Sequence, residues 1–307
     1  MVFFLDATDV VGQPKFPLKQ RVSLASFTSY RVGGCADWFA LPKTPEAVIE
    51  QLVWAHENEL PVTFLGAGSN LLVSDRGVRG LVICTRHLRG VTFDDAVGAL
   101  TAAAGEPLPN LAWKAARRGW SGLEWAVGIP GTVGGAVFMN AGAHSACTAD
   151  SLIEAQGLTQ TGTSVNLMPN HLNFAYRTSS LQSRVCLVTQ ARFQLSPGHD
   201  PAEVMAATQE ALAHRRSTQP YHLPSCGSVF RNPLPYKAGW LIEQTGLKTF
   251  QIGQAQVSPM HANFIVNVGG ATADNVLSLI RSVQDRVEEK WHVRLHPEVR
   301  LLGHFDA

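Results

Sequence analysis

Apolar positions along this chain alternate between a helical and an extended spacing. Val48, Ile49, Leu52 and Val53 recur three and four residues apart, behind a capping Thr44 and a Pro45 suited to a first helical position. That pattern predicts a helix over about 45–56. Short apolar runs at 62–65, 71–73 and 81–84 read as strands. A second helical pattern is predicted over 101–119, with Leu108, Leu111, Ala112 and Ala115 inward and Gly119 as its stop. Extended stretches follow at 153–159, 164–168 and 185–193, then a hinge at 196–201, where Asp200 can cap a helix running to about Arg216. Beyond a Pro/Ser/Gly-rich loop at 219–228 and mixed strands, the last helix is predicted over about 272–291. Val276, Leu279, Ile280, Val283 and Val287 form its apolar stripe, read as core. Helices and strands do not strictly alternate, so the fold class is α+β rather than doubly wound α/β.

Two glycine clusters interrupt these elements. Gly128, Ile129, Pro130, Gly131, Thr132, Val133, Gly134 and Gly135 lie between apolar flanks, and Gly66, Ala67, Gly68, Ser69 and Asn70 follow the 62–65 strand. Glycine weakens regular structure, so such clusters fit places where a large planar or anionic group approaches bare peptide N–H donors. The upstream loop is not a dinucleotide fingerprint. Leu71 stands at the third glycine position, and an extended run follows instead of a helix.

The length of 307 residues allows two or three compact units. With 25 basic and 24 acidic residues, a formal charge of +1 advertises neither nucleic acid nor membrane. No apolar run reaches membrane-spanning length, and the apolar opening at residues 1–5 stops at Asp6. Five scattered cysteines, none spaced C-x-x-C, point to a reduced cytoplasmic protein without a disulfide framework or structural zinc. A monomer is expected, and no metal site is indicated.

Polar candidates gather in three places. Tyr176 and Arg177 precede a strand, where the arginine is either a solvated strand-end charge or a fork for a carboxylate or phosphate. Ser228 follows Gly227 in a segment ending at Asn232; it is either a turn serine or a proton or oxyanion donor. Cys226 lacks an argued partner base and is treated as incidental. Glu298 lies in an apolar, strand-like stretch, where a buried carboxylate needs a partner or a task.

Taken in order, TSYRVGG (28–34), LGAGSNLL (65–72), GIPGTVGG (128–135), NAGA (140–143) and YRTS (176–179) resemble the UDP-N-acetylenolpyruvoylglucosamine reductase family. GSVFRNP (227–233), GWLIEQTGL (239–247), HANFIVN (261–267) and PEVRLLG (297–303) extend the resemblance over nearly the whole chain. The compact region around 175–180 is similar to the shorter of the family's two subtypes.

The resemblance implies a two-part FAD-binding region of the vanillyl-alcohol-oxidase (PCMH-type) class plus an α+β substrate domain. The parts are expected at 1–84 (rejoined by about 297–307), 85–199 and 200–296. It implies FAD as cofactor and NADPH as co-substrate, with reduction of UDP-N-acetylglucosamine enolpyruvate to UDP-N-acetylmuramate in cell-wall precursor synthesis. Arg177, Ser228 and Glu298 are the implied catalytic residues. They serve respectively as a fork for the substrate carboxylate, a donor that protonates the enolate, and a hydrogen-bond partner whose pKa must rise if it is to donate a proton. Gly66, Ala67, Gly68, Ser69, Asn70 and Leu71, with Gly128, Ile129, Gly131, Thr132, Gly134 and Gly135, are the implied FAD contacts. Tyr176, Arg177, Asn232 and His261 are the implied substrate contacts. A flavin oxidase acting on an alcohol or sugar, and a non-catalytic nucleotide-binding protein, are the competing readings.

Overall fold

The computed structural model describes residues 14–184 and 186–305, so the apolar opening at 1–5 lies outside it. These residues form two compact units. One takes the described residues up to Arg21, Asp37–Ala67 and Arg79–Leu212; the other takes Val22–Ala36, Gly68–Val78 and the described residues from Ala213 onward. The sequence reading divides the chain near 85, 200 and 296. The two compact units group 85–199 with much of the preceding segment, and short early segments with the C-terminal part.

The first unit holds two sheets. One has the order Leu18–Ser23, Cys35–Ala40, Val78–Cys84, Val62–Leu65. Its last two strands run parallel, Val62 opposite Leu81 and Leu65 opposite Cys84, and the helix Pro45–Glu57 lies in the chain between Cys35–Ala40 and Val62–Leu65. That helix starts as the sequence predicts: the Ala47 N–H donates to Thr44 Oγ1 at 3.2 Å, with Pro45 first in the helix. The second sheet is five-stranded, in the order Ser164–Leu167, Leu152–Thr159, Cys186–Gln194, Ala99–Ala103, Val91–Asp94. Its core gathers Leu100, Ala102, Leu111, Trp120, Val137, Ala191 and Phe193.

The helix predicted over 101–119 begins only at Leu108, because Ala99–Ala103 is a strand. Alanine favours helices in isolation. Here the segment pairs with Val91–Asp94 on one side and Cys186–Gln194 on the other, and tertiary pairing outweighs the propensity. Gly105 and Pro107 then separate strand from helix.

In the second unit, Ser225–Ser228, Phe264–Asn267, Ala255–Val257 and Gln251–Ile252 form an antiparallel sheet. The first of these strands occupies part of the stretch expected to be a loop. The helix Ala273–Trp291 buries Val276, Leu279, Ile280, Val283 and Val287, as its spacing predicts. Thr272 Oγ1 accepts from the Asn275 N–H at 3.1 Å. Asp75 accepts from the Ala273 and Asp274 N–H groups at 3.0 and 3.1 Å, so a distant carboxylate also seals the helix start. Arg300–Leu302 pairs in parallel with Leu71–Val73, which returns the chain end to an early segment.

Asp75→Ala removes both acceptors and is expected to lower stability by about 1 kcal/mol, read by urea unfolding. Asp75→Asn retains one acceptor and should lose less. Equal stability of Asp75→Ala and the parent would contradict this capping role.

Candidate active site

In the first unit the two glycine loops meet. A Cβ on Gly66 would lie 2.8 Å from Thr132 Oγ1, so the absence of a side chain at Gly66 is what permits the approach. Thr132, nearly inaccessible, starts the helix Val133–Met139 and accepts from the Gly135 N–H at 3.4 Å. The Val133 and Gly134 amides donate to Glu106 O and Ala104 O, each at 2.9 Å. Of the implied FAD contacts, Gly134 thus gives its N–H to Ala104 O and Gly135 gives its N–H to the capping Thr132 hydroxyl. Gly128, Ile129 and Gly131 lie in the loop before it. Within the upstream loop, Arg86 donates to Gly66 O and Ala67 O. The paired bare-backbone loops are chemically suited to a flavin dinucleotide, offering peptide donors and room for close approach.

Arg177 occupies the third position of a tight turn in which Ala175 and Thr178 exchange two backbone hydrogen bonds of 3.0 Å. Its φ is +57°, a left-handed conformation unfavourable for a bulky side chain. A polar framework enforces it. Asn140 Nδ2 donates to Ala175 O at 3.0 Å, Ser179 Oγ donates to Phe138 O at 2.7 Å, and Gln182 Nε2 donates to Arg177 O at 3.0 Å. Arg177 Nη2 donates to Gly142 O at 2.8 Å, which fixes the plane of the guanidinium. Tyr176 is exposed, with its ring centroid 5.1 Å from the Arg177 guanidinium carbon.

In the second unit Ser228 ends a strand bulged between Ser225 and Ser228, straight after Gly227 at φ +83°. Asn263 holds the next residues. Its backbone oxygen accepts from the Val229 N–H at 2.8 Å, its Oδ1 accepts from the Phe230 N–H at 3.0 Å, and its Nδ2 donates to Phe230 O at 2.8 Å. The Glu298 N–H donates to Val229 O at 2.7 Å, and Asn70 Nδ2 donates to Glu298 O at 3.1 Å. Ser228, Glu298 and Asn70 are thereby brought together. Glu298 is half-buried and precedes the strand Arg300–Leu302 instead of lying inside one.

Cys226 is buried, and burial pushes its thiol up to about 12, with the Glu298 charge adding to the rise. The thiol therefore stays protonated at neutral pH and is no nucleophile. Asn232 Oδ1 accepts from the Ala238 N–H at 3.0 Å, at the start of the helix Ala238–Gln244. His261 Nδ1 accepts from the Asn263 N–H at 3.2 Å, and burial lowers its pKa, which favours neutral imidazole. Among the described residues no group of three or more His, Cys, Asp or Glu side chains could hold a metal ion, and no helix is long and apolar enough to cross a membrane. The sequence pattern did not single out Asn263, Asn140 or Arg86, since their roles are contacts with distant backbone.

Residues 36–168 match the family model described as an FAD binding domain. Residues 219–302 match the UDP-N-acetylenolpyruvoylglucosamine reductase C-terminal domain. A UDP-N-acetylenolpyruvoylglucosamine reductase from Nostoc punctiforme is 58% identical over 306 residues, covering 100% of this chain and 90% of the relative. One from Synechococcus elongatus is 56% identical over 288 residues, covering 94% of this chain and 95% of the relative. The crystal structure of the reductase from Thermus caldophilus superposes with a TM-score of 0.79 at 37% identity, covering 92% of this chain and 98% of that one. The expected FAD-binding region is followed by the domain that matches the reductase C-terminal model, and the α+β content is as expected.

The left-handed turn at Arg177 gives a test independent of activity. Arg177→Gly should be more stable than Arg177→Ala by about 1 kcal/mol, measured by chemical denaturation, although glycine is the more flexible residue. The reverse order would contradict the conformation.

Proposed function

The chain belongs to the UDP-N-acetylenolpyruvoylglucosamine reductase family, and from that premise we propose how its own residues carry the family's reaction. It is an FAD-dependent, NADPH-driven oxidoreductase that reduces the enolpyruvyl ether of UDP-N-acetylglucosamine to UDP-N-acetylmuramate in peptidoglycan precursor synthesis. The observation that carries the residue-level reading is the backbone bond of 2.7 Å from Glu298 to Val229, which sets Glu298 beside the residue following Ser228.

Bound FAD supplies the two-electron carrier between NADPH and the terminal vinyl carbon of the substrate. Gly66, Ala67, Gly68, Ser69, Asn70 and Leu71, with Gly128, Ile129, Gly131, Thr132, Gly134 and Gly135, form the region that holds it. Gly134 and Gly135, whose N–H groups bond within the protein, serve close main-chain approach, and the others add hydrogen bonding.

As hydride reaches the vinyl carbon, negative charge spreads into the substrate carboxylate. A donor aimed there helps the transition state more than the ground state. Arg177 supplies that donor as a permanently charged planar fork, and its anchoring on Gly142 O holds the fork in advance of binding. Ser228 gives its proton to the carbon next to the carboxylate. A serine hydroxyl is a weak acid, but an enolate carbon is a strong base, so the transfer runs downhill. Glu298 contributes a hydrogen bond near the carboxylate.

Asn232 and Tyr176 contribute substrate contacts. For Asn232 the amide nitrogen is the group to consider, because its oxygen serves the Ala238 amide. His261 acts as a neutral hydrogen-bonding group in the substrate pocket. The protein works in the cytoplasm as a monomer.

Neither competing reading gathers a specific observation. An alcohol or sugar oxidase has no use for Arg177, Ser228 and Glu298 together, and a non-catalytic nucleotide binder has no use for Ser228 or Glu298.

The test is a steady-state assay of the FAD-loaded protein with NADPH and the enolpyruvyl ether, following NADPH loss and product mass. One lactyl ether is expected per NADPH consumed. Arg177→Met should lower kcat/KM by roughly 10²-fold or more. NADPH consumption without lactyl ether, or full activity of Arg177→Met, would overturn the respective assignment.

A further inference from the structure

The first glycine loop has a feature that neither its motif nor the reaction scheme explains. Three successive carbonyls point back at one short segment of the first unit. Thr85 Oγ1 donates to Leu65 O at 3.3 Å, Arg86 Nε donates to Gly66 O at 3.2 Å, and Arg86 Nη2 donates to Ala67 O at 2.6 Å. Thr85 and Arg86 lie in the single 3-10 turn Thr85–His87 that follows the strand Val78–Cys84.

The turn is itself braced. Arg89 Nε donates to Arg86 O at 2.6 Å, and the Gly105 N–H donates to Leu88 O at 2.9 Å. Gly105 must be glycine for this packing, because a Cβ there would collide with Thr85 O. The residue after it, Glu106, accepts from the Val133 N–H at 2.9 Å, so the same brace reaches the start of the second glycine loop's helix.

Peptide planarity converts this arrangement into a statement about donors. A trans peptide holds the C=O of one residue and the N–H of the next antiparallel in one plane. Fixing the Gly66 and Ala67 carbonyls toward Arg86 therefore turns the Ala67 and Gly68 N–H groups to the opposite side. Successive N–H groups turned one way make an anion-binding concavity. A positive charge bonded to the carbonyl ends polarises the same peptides in the sense that strengthens their N–H groups as donors.

We propose that Arg86 is a positioning residue for cofactor binding: its guanidinium holds the Gly66 and Ala67 carbonyls so that the loop presents its peptide N–H groups to the diphosphate of the flavin dinucleotide. The proposal rests on the FAD assignment above. It requires arginine specifically, because two donors in a rigid fork meet two successive carbonyls, which a lysine ammonium on a flexible stem does not reproduce.

The experiment titrates flavin-stripped protein with FAD, and separately with riboflavin, which has the ring but no diphosphate. Parent, Arg86→Lys and Arg86→Met are compared by flavin fluorescence, and their flavin-free melting temperatures are recorded alongside. Both variants are expected to weaken FAD binding about tenfold or more, with riboflavin affinity unchanged and Arg86→Lys failing to rescue. FAD affinity unchanged in both variants overturns the proposal. So does an equal loss for FAD and riboflavin, which would mark a merely structural role, or full rescue by Arg86→Lys, which would mark charge alone. If Arg86→Met melts far below the parent, Arg86→Lys carries the comparison. Failure of the parent itself to bind FAD would instead sink the functional reading on which the proposal stands.

Discussion

The parallel pairing of Arg300–Leu302 with Leu71–Val73 is the constraint on which the second unit's chemistry depends. It draws the end of the chain back to the segment leaving the first glycine loop, so that Asn70 can grip the backbone on both sides of Val299, next to Glu298. Asn70 Nδ2 donates to Glu298 O, and the Arg300 N–H donates to Asn70 O at 3.0 Å. On its other edge the same stretch bonds to Val229, beside Ser228. A half-buried carboxylate and a serine from remote parts of the sequence are thus fixed by main-chain bonds, whose geometry does not depend on the rotamer of either side chain. Such support suits groups that must be in place before substrate arrives.

The first unit solves a different problem, that of exposing main chain without unfolding it. Its loops are held from behind: Thr85 and Arg86 bond the carbonyls of one, and Ala104 and Glu106 bond the amides that start the helix of the other. Arg177 shows the cost of such positioning most plainly. A left-handed arginine is unfavourable by about 1–2 kcal/mol relative to a relaxed backbone, and bonds from Asn140, Ser179 and Gln182 to the surrounding backbone keep it there.

Much of this was legible in the sequence where local chemistry decides the outcome. The cap Thr44, the strands Val62–Leu65 and Leu71–Val73, and the stripe on the last helix follow from spacing and side-chain type alone. Ala99–Ala103 was not legible, because a small-residue run is neutral between states until its neighbours in the sheet are known. The helix Val133–Met139 was missed because its two glycines argue against a helix, yet Thr132 caps it and Asn140 ends it in a left-handed conformation. Motif order pointed to Arg177, Ser228 and Glu298. It included Asn140 and Asn263, in NAGA and HANFIVN, but not their task of holding these residues, since each acts on backbone far away in sequence. Nor did it give the bulge that follows Gly227.

The most direct test of the central claim, that Ser228 protonates the substrate after hydride arrives, is anaerobic stopped-flow absorbance of the protein-bound flavin. Parent and Ser228→Ala are each reduced with NADPH and then mixed with the enolpyruvyl ether. Bleaching by NADPH should be alike in both. Reoxidation should be rapid in the parent and slower by about 10²–10⁴-fold in Ser228→Ala, the range typical of a lost acid–base group. Reoxidation of Ser228→Ala at the parent rate would contradict the account.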